Sequence, residues 1–378
     1  MPSRKQAVTF FLIIVAVCSW HLDAGTNDGT LSRAMAASAI VETGSSEITA
    51  HHTLTGDKAV VDGLYYTDKA PLPSWVLVPL WALARALGAN ATTADASSYA
   101  ALLRLGGFIW GVLPFALIAL ILWRRSFEHP QLTGHRALTV LVPMLGSFLF
   151  VYSGSLYNHL PAALFVLLTT ISIGKERFMI AGLWASAALL TDTASVVIIA
   201  VQGLQLLLSR PFGSSLRFAT AYLVGIIITL INNAVITGSA LNFPSAMAAN
   251  YPHMTQSLGF RGFRLDALFG LTFSLYRGLF IYMPALVALL LVRPLKDARA
   301  WLTNPYLLPA IALILAYSLH STWWGGWTYG PRYITCSAVL LLAFLLEHLR
   351  PSRIAVMAVL ALGGIGLVLS VAAISTLG

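Results

Sequence analysis

Apolar stretches long enough to cross a bilayer recur from one end of this chain to the other and leave room for little else. A transmembrane helix needs about 20 predominantly apolar residues to span the hydrocarbon core. Runs of that kind cover approximately 7–20, 101–123, 137–153, 158–173, 178–191, 194–208, 218–236, 271–292, 302–319, 333–347 and 354–376, about eleven spans in all. Hydrophobic residues make up 58% of the chain and charged residues 10%, against about 25% charged in soluble domains. The reading is an all-α integral membrane protein, since a helix satisfies its backbone hydrogen bonds within the segment. No separate soluble domain, low-complexity tract or internal repeat stands out. Residues 1–378 read as one polytopic membrane domain, with 23–100 as a long outer loop carrying juxtamembrane helices.

Composition also excludes several function classes. The formal charge of +9 does not indicate nucleic acid, because the basic residues punctuate apolar runs instead of gathering on one face. Cys18 and Cys336 lie in apolar runs without C-x-x-C spacing, so neither a disulfide framework nor a zinc site is indicated. The His51-His52 pair has no accompanying ligand set at metal spacing. The basic start Met1–Lys5 and the brief run 7–20 fit a cleaved signal peptide or a first span; without a small-residue cleavage site they are taken as a span. Most short basic loops, such as Arg124-Arg125, Lys175–Arg177 and Arg293–Arg299, then fall on one side with the N-terminus, the cytoplasm. An odd span count puts the C-terminus outside. Ten of the 14 acidic residues fall outside, all but Glu128, Glu176, Asp297 and Glu347.

The outer segments carry the unusual residues. Asn27-Asp28-Gly29-Thr30 reads as a helix start, with 31–42 as a short, weakly amphipathic helix. The segment 57–73, DKAVVDGLYYTDKAPLP, is densely polar, and the following 72–87 is apolar but broken by Pro73, Pro79 and Arg85, which suits an interfacial or re-entrant helix. Y-N-H-L-P, Tyr157 to Pro161, lies between two spans, and W-W-G-G-W-T-Y-G-P-R-Y, Trp323 to Tyr333, enters another.

In this order, N-D-G…S-R after the first span, then D-G-x-Y-Y-x-D-K-x-P and a proline-broken helix, the chain resembles the membrane glycosyltransferases of the GT-C class. Within that class it is most similar to the polyprenyl-phosphate-sugar-dependent branch, which includes protein mannosyltransferases and the lipid A aminoarabinose transferase. The likeness covers the N-terminal quarter best, and the N-H-L-P and W-G-G-x-x-Y-G-P-R-Y segments also resemble bacterial members. It implies a helical bundle in a plasma (inner) membrane with its active site on the periplasmic or extracellular side. It also implies sugar transfer from a polyprenyl phosphate to an acceptor hydroxyl on a lipid, glycan or protein, inversion at the anomeric carbon, and no certain cofactor, with a divalent metal left open. The chain departs from the class in two ways. Gly29 stands where many members have a second acid after Asp28, and the soluble C-terminal domain that many members carry is not expected within residues 1–378.

The resemblance assigns roles to particular residues. A phosphate leaving group needs cations fixed in a water-poor site, and the acceptor hydroxyl needs a carboxylate to take its proton. Asp28 matches the acid after the first span and is the candidate base; a plain helix cap is the alternative. Lys69 is the candidate phosphate ligand, with a snorkelling interfacial lysine as the alternative. Arg332 is a second candidate cation or a headgroup anchor. Arg33 either binds substrate or orients Asp28 or a neighbouring acid. Tyr66 and Asp68 stand in the aromatic-acid-Lys-Pro segment and are taken with it as substrate-binding, Asp68 otherwise being a solvated carboxylate. His159 binds phosphate, sugar or metal, or is structural. Asp192 reads as the cap of the next helix, and Trp323, Trp324 and Trp327 as an interface belt or a sugar platform. The rival function class is a transporter or flippase of a lipid-linked sugar, disfavoured by the lack of repeats and by polar density at the outer edge.

Overall fold

The structure, a computed structural model, describes residues 1–25, 27–255 and 257–377. Helix α1 (Arg4–Ser19) opens with a capping box in which Ser3 and Gln6 satisfy each other's backbone N–H. The outer segment then folds as α2 (Asp28–Thr43), an antiparallel hairpin of β1 (Lys58–Val61) and β2 (Leu64–Thr67), and α3 (Leu72–Ala86). Asn27 caps α2, accepting from the Gly29 N–H at 3.1 Å, and Gly44 ends it in the left-handed conformation. Pro73 is tolerated at the start of α3, where the backbone N–H that proline lacks is not needed.

The bundle follows. Helices α4 (Ala100–Gly107) and α5 (Leu113–Ser126) continue through a π-turn at Phe108–Val112. Helices α6 (Arg136–Leu145) and α7 (Phe148–Val151) are bent from one another by 68°. Then come α8 (His159–Gly174), α9 (Phe178–Thr191), α10 (Ser195–Ser209) and α11 (Phe212–Thr237). The last part holds α12 (Leu265–Thr272), α13 (Leu279–Tyr282), a 3-10 run Pro284–Leu291, α14 (Ala298–Thr303), α15 (Leu307–Ser318), α16 (Thr335–His348) and α17 (Arg353–Leu377).

Three helices are long and apolar enough to cross a membrane alone, Ala96–Ser126, Phe212–Thr237 and Arg353–Thr376, and the bent α6–α7 pair adds a fourth when counted together. The shorter apolar helices α8, α9, α10 and α15 complete the bundle. Two expectations need correction. The chain is not wholly α-helical, because the hairpin interrupts the outer loop. The apolar run 271–292 is not one span: Gly278 and Pro284 break it into α13 and the 3-10 run, since proline cannot donate the next helical bond.

Small residues let the helices meet closely, as in many membrane bundles. Added Cβ atoms at Gly146 and Gly366 would collide with backbone across the α6–α17 contact, and Ser370 donates to the Ser147 carbonyl at 3.1 Å. Ser186 on α9 donates to the Ala221 carbonyl of α11 at 3.0 Å. Helix α16 is buried almost throughout and forms the centre of the main core, with α5, α8 and α15 around it. A second core of Leu31, Met35, Leu77, Trp81, Leu102 and Trp110 fixes α2 and α3 against α4. The outer elements are thus held rigidly on the bundle.

Candidate active site

The hairpin register assembles the first part of the site. Asp62 and Gly63 form a two-residue turn with φ of 50° and 82°, the left-handed pair that a tight hairpin needs and that Asp-Gly supplies best. That turn pairs Lys58 with Thr67, so the next positions outward, Asp57 and Asp68, face each other. Lys69 lies between them, its Nζ 2.9 Å from Asp57 Oδ2 and 3.1 Å from Asp68 Oδ1. The two carboxylate side chains are 11% and 7% exposed. Ser32 on α2 and Thr67 share a hydrogen bond of 2.7 Å, which pins the hairpin to the helix.

The two acids are held in opposite senses. Burial works against ionised Asp57, but Lys69 and a hydrogen bond from Tyr251 outweigh it and hold the carboxyl below its usual range. Burial also dominates at Asp68, and with Asp57 beside it its carboxyl is pushed up despite Lys69. Lys69 loses to burial and gains more from Asp68 and Asp57, so it is held above the ordinary lysine range.

Helix α2 supplies the second part. Asp28 occupies its first turn while Asn27 takes the capping position. Asp28 Oδ1 accepts from the Gly56 N–H at 2.7 Å, and Thr55 donates to the Asp28 carbonyl at 2.9 Å. The residue is exposed. Arg33, one turn on, is buried and does not pair with Asp28. Its Nη1 donates to the Gly29 carbonyl and its Nη2 to Asn158 Oδ1 at 2.6 Å. Its Nε has no partner, and Asp57, Arg332, Asp68 and Asp192 all act on its charge. A Cβ at Gly29 would stand 3.0 Å from Asp57 Oδ2 and 3.4 Å from Arg33 Nη1. The bare backbone lets the acid and the cation approach α2 together.

The third part comes from the bundle ends. The Arg332 guanidinium lies 5.2 Å from the centre of the Tyr157 ring and 5.4 Å from that of Tyr333. Its Nε is buried without a partner, and among the described residues no carboxylate lies within ion-pair distance of it. His159 Nδ1 meets Asp192 Oδ2 at 2.8 Å, and the other Asp192 oxygen accepts from the Ala194 N–H at 3.2 Å. Asp192 therefore does more than cap the turn into α10.

Of the residues singled out in the sequence, Arg33, Asp68, Lys69, His159 and Arg332 lie in one charged and aromatic cluster, with Asp28 at its edge across Gly56. Tyr66 lies apart. It pairs with Ala59 and Glu47, and the charges acting on its hydroxyl are those of Glu47 and Asp62. Strand alternation turns it to the opposite face from Thr67. Arg277 instead braces the tryptophan turn, donating to the carbonyls of Trp324 at 2.9 Å and Gly326 at 2.7 Å, and Trp327 is 96% exposed. His51 is engaged by Tyr99 and His52 stacks on Tyr65. No group of three His, Cys, Asp or Glu among the described residues is placed to hold a metal ion. The sequence reading singled out the segments that hold Asp57, Tyr157, Asn158 and Tyr333 without giving these residues a role of their own, and it passed over Tyr251. For Asp57 the signal was present, because an Asp-Gly turn centred on 62–63 sets it opposite Asp68.

By sequence, no family model and no curated protein matches the chain. By structure, the chain matches a crystal structure of ArnT from Cupriavidus metallidurans bound to undecaprenyl phosphate, with a TM-score of 0.53 and 16% identity over 91% of this chain and 60% of that one. The fold is similar to that part of ArnT. This agrees with the GT-C-like bundle that the sequence resemblance implied. The apo structure of ArnT from the same organism overlays at a TM-score of 0.46 and 16% identity, over 90% of this chain. The chain spans about 60% of the length of the ArnT structure it matches.

Proposed function

We propose that the chain is a membrane glycosyltransferase that moves a sugar from a polyprenyl phosphate to an acceptor hydroxyl at the outer face of a plasma (inner) membrane. The single observation that carries the proposal is the cluster itself. Lys69, Arg33 and Arg332 converge where α2, the hairpin and the 332–334 turn meet, and among the described residues no carboxylate lies within ion-pair distance of Arg332. Such a site suits a phosphate monoester better than a neutral ligand. The fold supports the same reading, since the ArnT crystal structure it matches is bound to undecaprenyl phosphate.

The transfer is a single displacement. The acceptor oxygen forms a bond to the anomeric carbon as the bond from that carbon to the phosphate oxygen breaks. The bonding pair leaves with the phosphate, and the acceptor proton passes to a carboxylate. One displacement inverts the anomeric centre. Asp28 is the base in this scheme: one of its oxygens accepts from the Gly56 N–H, and the residue is exposed. Arg332 and Lys69 receive the charge that develops on the leaving phosphate. Lys69 is already flanked by two acids, so it lends less net charge than Arg332, and Asp57 and Asp68 serve to hold it in place. The scheme calls for no cofactor.

Purified protein in lipid vesicles, given a polyprenyl-phosphate sugar and a hydroxyl acceptor, tests the proposal. The wild-type protein is expected to transfer sugar, and Asp28→Asn and Lys69→Met each to lose at least about 100-fold while remaining folded. Full activity in Asp28→Asn removes the base assignment. Movement of the lipid-linked sugar across the vesicle without transfer identifies a flippase instead.

A further inference from the structure

We infer that Asp192 and His159 form a positioning pair that sets the Arg332 guanidinium, an inference that rests on the lipid-phosphate reading above. The pair is buried, the His159 and Asp192 side chains being 8% and 12% exposed. Asp192 uses both oxygens, one on the Ala194 N–H and one on His159 Nδ1. That second bond fixes the imidazole with its proton on Nδ1 and fixes the plane of the ring. The ring in turn touches two others. It lies nearly parallel to Tyr157, at 6.2 Å and 15°, and edge-on to Tyr333, at 5.9 Å and 75°. Tyr157 and Tyr333 are the two rings on which Arg332 rests. Tyr317 backs Tyr333 from another side at 4.7 Å.

Three consecutive residues at the start of α8 therefore serve three groups. Tyr157 lies against Arg332, Asn158 accepts from Arg33, and His159 is anchored to Asp192. The end of α9 thereby dictates where two cations contributed by other elements stand. His159 is placed to act through the tyrosines: it bonds to Asp192 and its ring neighbours are Tyr157 and Tyr333. A buried carboxylate paired only with an imidazole and one backbone N–H is a costly feature to keep for packing alone. Its place directly behind the aromatic seat of Arg332 gives it a use.

The test is binding of undecaprenyl phosphate to the full-length protein in detergent, measured by native mass spectrometry alongside thermal unfolding. His159→Ala and Asp192→Ala are expected to weaken binding about tenfold, with Asp192→Asn, which still accepts the imidazole proton, within about threefold of wild type. The deciding arm is the Arg332→Gln background, where adding His159→Ala is expected to cause no further loss. If His159→Ala fails to fold, His159→Gln takes its place in the cycle. Equal loss in both backgrounds, or no loss in either, overturns the positioning role while leaving the lipid-phosphate reading standing. Wild type that does not bind undecaprenyl phosphate removes that reading, and the inference falls with it.

Discussion

Two acids share Lys69, and the difference between them sets how the site answers to pH. Asp57 is held below its ordinary value in the fold. Its stabilising contribution is therefore fully present above the unfolded value of about 3.9 and is lost as pH falls through the lower folded value. Asp68 is pushed up, so its ionised form opposes folding at neutral pH and the opposition is relieved as pH falls through the raised value. Asp57→Asn is accordingly expected to cost about 1–2 kcal/mol at pH 7, discounted for the partial exposure of Lys69, and Asp68→Asn less. Thermal unfolding of both variants at pH 7 checks the order; a larger loss for Asp68→Asn contradicts it. The Asp57→Asn deficit should also shrink below about pH 4, where Asp57 begins to protonate in the unfolded chain. Gly29→Ala is a second residue-scale prediction. The new methyl would press on Asp57 and Arg33, and lower phosphate affinity by severalfold is expected from a titration, with helix content unchanged.

At the scale of elements, the hairpin is the part that sequence reading rendered as loop. Its polar segment drew attention for its charges, and the Asp62-Gly63 pair inside it was not read as a turn. The two-residue turn fixes the register, and the register sets Asp57 against Asp68. Gly63→Ala is therefore expected to destabilise the hairpin by about 1 kcal/mol, through the cost of a side chain at a φ of 82°. Faster amide exchange confined to residues 58–67 is the readout, and unchanged protection counts against the turn's role. Helix starts and ends were easier to read. Asn27 and the glycine after α2 carry local signals, and so do most of the apolar helices. The broken stretch around Gly278 and Pro284 was misread because hydropathy alone does not distinguish a helix from a 3-10 run. The role of Asp57, the pairing of Asp192 with His159 and the tyrosine seat of Arg332 stayed hidden for a different reason. Each works through a partner distant in the chain, as in the contact of Tyr157 with Arg332, and no local pattern announces such a meeting.

Across the whole molecule, the cluster joins α2, the hairpin, the starts of α8 and α10 and the 332–334 turn, all at one end of the bundle. The turn between α10 and α11, with Arg210, lies at the other end of α10. Both native cysteines are buried, so introduced ones report cleanly. A membrane-impermeant maleimide is expected to label Asp62→Cys in intact spheroplasts and Gly213→Cys only after permeabilisation, and the reverse pattern would invert the topology. The overall class was legible from apolar run length, and the convergence of Lys69, Arg33 and Arg332 on one site was expected only through the family resemblance. The most direct test of that convergence is a cryo-electron microscopy map of the protein with undecaprenyl phosphate. Phosphate density within about 3 Å of both Lys69 and Arg332 is the result predicted here. Lipid phosphate seated elsewhere, for example on Arg261 and Arg264, with the cluster unchanged, would contradict it.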